Sequence, residues 1–153
     1  MTPRTHKREP VSLEAKLFVA LLRASDRLGQ DTDLLIKAYG LTATQYNVLR
    51  ILRGAGPDGL ACKRIGDRMI SRDPDMTRLL DRMEKRGLIT RERQSQDRRV
   101  IKTRITPEGL EILKRLDQPI DELHKKQFRH LSAAKLRALA EALEEAFPAL
   151  IPE

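Results

Sequence analysis

The stretch SRDPDMTRLLDRMEKRG, residues 71–87, decides the fold. Asp73 carries the side-chain oxygen of a good helix N-cap. Pro74 suits the first helical position, where its missing N–H has no intrahelical partner to lose. Met76, Leu79, Leu80 and Met83 recur at helical spacing and make a stripe to be buried. Gly87 supplies the stop. Arg72, Asp75, Thr77, Arg78 and Arg82 fall mostly off the stripe, so the expected helix has an apolar inner face and a polar, basic outer one.

Before this stretch, a short helix is expected over residues 62–69, with Ile65 and Met69 as core positions. Gly66 in its middle costs about 1 kcal/mol against alanine and makes sense if another helix crosses closely. Earlier still, Thr42-Ala-Thr-Gln45 has the form of a capping box. It starts a helix with Tyr46, Leu49, Ile51 and Leu52 on its apolar side, ended by a turn from Gly54 to Gly59. A long helix from about Ser12 to Tyr39 comes first, with Gly29 as a bend or break within it. Gly40 is placed to end it in the left-handed conformation and let Leu41 fold back.

After Gly87, residues 88–93 and 100–105 read as two short strands around a polar loop that carries Asp97, Arg98 and Arg99. Two strands alone are marginal in water, so this hairpin must pack on the helices or on a partner. Thr106 and Pro107 open a helix over 107–129, with Leu110, Leu113, Leu116, Ile120 and Leu123 as its stripe and a kink expected at Pro119. Ser132 caps a last helix with Leu136, Leu139, Leu143 and Phe147 on one face. The order of helix, tight turn, short helix, second helix and hairpin is that of a winged helix-turn-helix, mainly α with a small β-hairpin wing.

Charge placement agrees. The chain of 153 residues has a net charge of +8. Residues 63–104 hold 14 Lys and Arg against 7 Asp and Glu, residues 1–62 hold 9 against 6, and residues 105–153 hold 7 against 9. A basic middle between weakly charged ends suits a module that binds a polyanion. With 2 Tyr, 3 Phe and no Trp, a single-strand binder that stacks bases on aromatic faces is disfavoured. One cysteine rules out an internal disulfide framework, and no apolar run approaches the roughly 20 residues that span a bilayer. The first residues, MTPRTHKREP, have no apolar core of a signal peptide, so a reducing cytoplasm and no membrane association are expected.

A helix of this width fits the major groove of duplex DNA, where side chains of its N-terminal half reach base edges. Arg72, Asp75, Thr77 and Arg78 are the candidates for that contact, with Arg82 on the same face. Arg98 and Arg99 at the hairpin tip are long enough to enter a neighbouring minor groove, where negative potential is concentrated. Taken singly, each feature also suits a solvated face or turn. Their order inside the basic segment is what favours DNA.

GLTATQYNVLRIL (40–52), MTRLLDRMEKRGLITR (76–91) and SQDRRVIKTRITPEG (95–109) resemble the signature of MarR-type transcriptional regulators, and the resemblance runs from about Ser12 to the last helix. It implies a homodimer in which the N- and C-terminal helices of both chains form a dimerisation layer above two winged lobes. It further implies binding to pseudo-palindromic promoter DNA, usually as a repressor, with release by a small anionic aromatic ligand or by oxidation. It places the ligand in the cleft between the dimer layer and the lobe. The segment from Arg72 to Arg78 matches the groove-reading part and Arg98 the wing arginine. Two departures are evident: Ala61-Cys62-Lys63 lacks the usual N-cap side chain, and RDPD at 72–75 is more acidic than many.

The residues support dimerisation independently, because the end segments carry apolar stripes longer than a lobe this small can cover. The expected organisation is a disordered arm over 1–11 and one domain over 12–153. In it, 12–41 and 107–150 are dimerisation helices and 42–106 the winged lobe. Enzyme chemistry has little support: there is no glycine-rich phosphate loop, no nucleophile–base pair, and His124 and His130 are off the i, i+4 spacing of a helical metal site. No cofactor or metal is expected. Cys62, beside Lys63 and Arg64 near a helix start, is the candidate redox residue, against a purely structural role. A winged protein-interaction adaptor and a non-specific DNA-binding protein remain the alternatives.

Overall fold

Hydroxyl side chains fix the helix starts. The oxygens of Ser12, Thr42, Thr106 and Ser132 accept from the amides of Ala15, Gln45, Gly109 and Lys135 at 3.1–3.3 Å. The Thr42 cap is a complete capping box, since Gln45 Oε1 also accepts from the Thr42 amide at 3.1 Å. The computed structural model describes residues 11–71, 73–93 and 101–149. In order these form α1 (Leu13–Ala38), α2 (Ala43–Ala55), a 3-10 turn (Gly56–Asp58) and β1 (Leu60–Ala61). Then come α3 (Cys62–Arg68), α4 (Met76–Lys85), β2 (Ile89–Arg93), β3 (Ile101–Ile105), α5 (Pro107–Phe128) and α6 (Ala133–Ala146).

Several local expectations are corrected. The recognition stretch starts its helix later than expected: Asp75, not Asp73, is the N-cap of α4, and its Oδ1 accepts from the Arg78 amide. Asp73 instead accepts from the Asp75 amide at 2.8 Å, an Asx turn that uses Pro74 as a turn residue. Both aspartates can cap, and the one nearer the apolar stripe does so. Gly29 neither breaks α1 nor ends it. At Gly66 an added Cβ would meet only Met76 Cγ, at 3.9 Å, so the expected tight crossing is absent.

The hairpin of β2 and β3 pairs antiparallel, Ile89 opposite Ile105 and Arg93 opposite Ile101. It is not alone. β1 pairs with β3, Leu60 opposite Thr103, giving a three-stranded antiparallel sheet of order β1-β3-β2. The third strand and the helices beneath supply the support that a two-stranded hairpin lacks.

Val48, Leu49 and Leu52 of α2 sit at the centre of the core. Around them pack Ile65 of α3, Leu79, Leu80 and Met83 of α4, Leu88 and Ile89 at the sheet, and Leu113, Leu116 and Ile120 of α5. Met69 and Met76 are only half-buried at its edge. The end of α1 joins through Ile36, and Leu41 folds back to be 2% exposed. Fully burying each such side chain is worth roughly 1.5–3 kcal/mol. Arg53 of α2 clamps Asp117 of α5 with two hydrogen bonds at 2.8 and 2.9 Å.

The rest of the terminal helices is uncovered. Leu13, Leu17, Phe18 and Leu22 of α1 are 56–78% exposed. No residue of α6 is buried. The stripe of Leu136, Leu139, Leu143 and Phe147 therefore does not join the core of the single chain.

Candidate nucleic-acid interface

Helix α4 has the two faces its sequence implies. Leu79, Leu80 and Met83 are buried, while Thr77, Arg78 and Arg82 are exposed. The inner face anchors the helix and leaves the outer one to solvent along its length. Asp75 has two roles at the start: its Oδ1 caps the helix, and its Oδ2 pairs with Arg78 Nε at 3.2 Å. This pair is too exposed to contribute much stability. Its consequence is directional, because it holds the Arg78 guanidinium at the N-terminal end of the outer face.

Two carboxylates on α4 would oppose a polyanion, and Arg91 of β2 takes both. Its Nη2 donates to Glu84 Oε2 at 2.6 Å and to Asp81 Oδ1 at 2.5 Å, its Nε donates to Glu84 Oε2 at 3.0 Å, and its amide donates to Glu84 Oε1 at 3.1 Å. Hydrogen bonding to Glu84 raises the guanidinium pKa above its ordinary value; burial opposes this, and Asp81 adds to the rise. The two acidic charges are thereby partly offset, and the wing is tied to the helix. A second strut, Arg104 of β3, bridges Glu92 Oε2 at 2.7 Å and the Pro57 carbonyl at 2.8 Å. The turn before α4 is held by Asn47 of α2, whose Oδ1 accepts from the Ile70 amide at 2.9 Å.

Of the residues singled out in the sequence, Asp75, Thr77, Arg78 and Arg82 are thus brought to one outward helix face. Arg72, Asp97, Arg98 and Arg99 lie outside the described residues. Arg91, Arg104 and Asn47 were not singled out, although the outer face depends on them. Their partners lie up to 47 positions away, and no periodicity signals such a pairing.

Cys62 is a free, half-buried thiol at the first position of α3 and packs against the hydrophobic core. Ala61 before it makes no side-chain cap, as its sequence implies. His124 Nδ1 meets Gln127 Oε1 at 3.1 Å, and His130 lies beside Arg129. Among the described residues no group of three His, Cys, Asp or Glu could hold a metal ion. No described helix is long and apolar enough to cross a membrane. A groove of about 750 Å³ runs between α1 and the end of α5, with Leu28, Leu34, Leu123 and Phe128 as apolar lining and Arg27 and Lys126 as cations. No residue of the 42–106 lobe lines it, so it is distinct from the cleft that the resemblance implies.

The model of the MarR family matches residues 41–101, from the end of α1 to the wing. A solved MarR transcription factor from Planctomyces limnophilus is 38% identical, with 89% of this chain and 98% of that chain covered and a TM-score of 0.68. The HTH-type transcriptional repressor IacR of Pseudomonas putida is 29% identical over 85% of this chain and 77% of its own. The homoprotocatechuate degradative operon repressor of Escherichia coli is 29% identical over 84% of this chain and 86% of its own. The exposed basic face of α4, the sheet beside it and these matches lead to one conclusion: the chain belongs to the MarR family of winged helix-turn-helix, DNA-binding transcriptional regulators, which are not enzymes.

Proposed function

We propose that two copies of this chain join through the uncovered apolar faces of α1 and α6 and act in the cytoplasm as a repressor on pseudo-palindromic promoter DNA. The observation that carries this reading is the division of α4, with three core residues inward and Thr77, Arg78 and Arg82 outward. In the dimer each α4 enters a major groove. Arg72, Thr77 and Arg78 meet base edges and phosphates at its N-terminal end, and Arg82 meets the backbone further along. Asp75 keeps Arg78 oriented in the free protein and accepts from a cytosine amino group in the complex. Arg98 and Arg99 of the wing reach the adjacent minor groove. The domain division follows: 12–41 and 107–150 form the dimer layer and 42–106 the reading lobe.

Repression fits relatives that are named repressors, one of them of a degradative operon. A small anionic aromatic effector that prefers a lobe spacing other than the one DNA requires lowers DNA affinity, and DNA lowers effector affinity by the same factor. The half-buried position of Cys62 favours such a ligand over an oxidative signal.

Selection of bound fragments from random duplex DNA tests this reading. An inverted repeat with half-sites about 34–36 Å apart is expected. Unselective recovery would favour mere coating of DNA, and no recovery an adaptor role. On the selected duplex, Arg78→Ala abolishes sequence preference, whereas Arg98→Ala weakens binding and shrinks the salt slope by about 1. Wild-type affinity in both variants would remove these roles.

A further inference from the structure

The end of the recognition helix is a junction. Gly87, at φ +71°, closes α4, with its amide on the Glu84 carbonyl (2.8 Å) and that of Leu88 on the Met83 carbonyl (3.0 Å). The next contacts leave the helix. Arg86 Nη2 donates to the Gly40 carbonyl at 2.8 Å, just past the C-terminal end of α1. Arg86 Nη1 donates to Gln45 Oε1 at 3.1 Å, the same oxygen that completes the capping box of α2. From the other side, Thr106, the N-cap of α5, donates its hydroxyl to the Gly87 carbonyl at 2.6 Å and its amide to the Leu88 carbonyl at 3.1 Å. Residues 86–88 therefore tie α4 to both long helices that leave the lobe.

Most of this junction would persist without Arg86, because buried Leu88 and the Thr106 cap hold the α5 side. On the α1 side, Ile36 and Leu41 bury the helix end in the core, and the guanidinium adds the hydrogen-bonded link from α4. Arg86 is exposed, so apolar burial does not place it. Its planar fork serves two acceptors on separate elements, which a single ammonium does poorly. Oxygens at the C-terminal end of α1 also carry the negative end of the helix dipole. Arg86 lies about 16 Å along α4 from its N-cap, away from the end that reads bases.

We propose that Arg86 is a positioning residue for DNA recognition: its guanidinium fixes the angle between α4 and α1, and so the aim of the recognition helix relative to the rest of the molecule, without touching DNA. The inference rests on α4 being the helix that enters the groove. A change in helix angle misaligns directional base contacts, whereas phosphate attraction tolerates it.

The test uses full-length wild type, Arg86→Met, Arg86→Lys, Gln45→Met and the Arg86→Met/Gln45→Met double variant. Each is titrated with a duplex that the wild type selects from a random pool, and with the unselected pool, over a range of salt. Arg86→Met is expected to lose about tenfold on the selected duplex while affinity for the pool and the salt slope stay unchanged. Arg86→Lys should resemble Arg86→Met, and the double variant should lose less than the product of the single losses. A parallel fall on both DNAs with a slope smaller by about 1 means direct phosphate contact and overturns the inference. Full rescue by lysine, or wild-type discrimination in Arg86→Met, overturns it too. Preference of the wild type for its selected duplex stands by itself, so failure of the Arg86 role leaves the DNA reading intact.

Discussion

Replacing Gly109 by alanine should destabilise the protein, although alanine is the better helix former. A Cβ at Gly109 would lie 2.5 Å from the Leu88 carbonyl oxygen, 2.9 Å from Ile105 Cγ1 and 3.2 Å from Leu49 Cδ2. An ordinary carbon–oxygen contact is about 3.3 Å or more, so the start of α5 must retreat by roughly 0.8 Å. It cannot do so freely. Thr106 is bonded to Gly87 and Leu88, and Leu113 and Leu116 are fully buried one and two turns further on. Overpacking of this kind costs about 1–3 kcal/mol, and the helix-propensity gain of at most about 1 kcal/mol offsets only part of it. A net loss of about 1–2 kcal/mol lowers Tm by roughly 2–8 °C for a chain this long. Thermal unfolding by circular dichroism, at one fixed protein concentration, reads it directly. A Gly109→Ala protein as stable as wild type would show that α5 does not ride on the Leu88 backbone, and the placement of the first turn of α5 would be wrong.

The same substitution at Gly54 has the opposite sign: no atom lies within 4 Å of a Cβ there, so Gly54→Ala gains up to about 1 kcal/mol and raises Tm in the same assay. Phe18→Glu, on the uncovered face of α1 at 64% exposure, costs nothing in a monomer but places a charge in the proposed dimer contact. Sedimentation should then show a folded monomer, and an unchanged mass would rule Phe18 out of that contact. Arg53 and Asp117 are 35% and 48% exposed, so a double-mutant cycle of alanine replacements should give a coupling of at most about 1 kcal/mol that fades with added salt. A larger, salt-insensitive value would mean that the pair is shielded from water in the working assembly.

What could be read along the chain was local. The caps at Thr42, Thr106 and Ser132, the glycine closures at Gly40 and Gly87, and the stripes of α2, α4 and α5 each depend on residues within a turn or two. Amphipathic spacing also separated the inner from the outer face of α4, because period 3.6 projects directly onto a cylinder. Local rules reached their limit where two neighbours offered the same chemistry: Asp73 and Asp75 can both cap, and only the path of the turn chose Asp75.

The tertiary structure decided the long-range pairings. β1 is two residues long and exists because Leu60 and Ala61 meet Thr103 and Lys102, some forty positions on. Arg86 and Arg91 look alike on the sequence, two cations near a glycine. In the fold one ties α4 to the end of α1, and the other pairs with the two acidic residues of α4. The stripes of α1 and α6 were already too long for the lobe to cover, but which of their residues stay exposed in the single chain emerged only once the core had closed. Hydrophobic spacing shows that a surface is to be buried, while the partner that buries it depends on shape complementarity between elements distant in the chain.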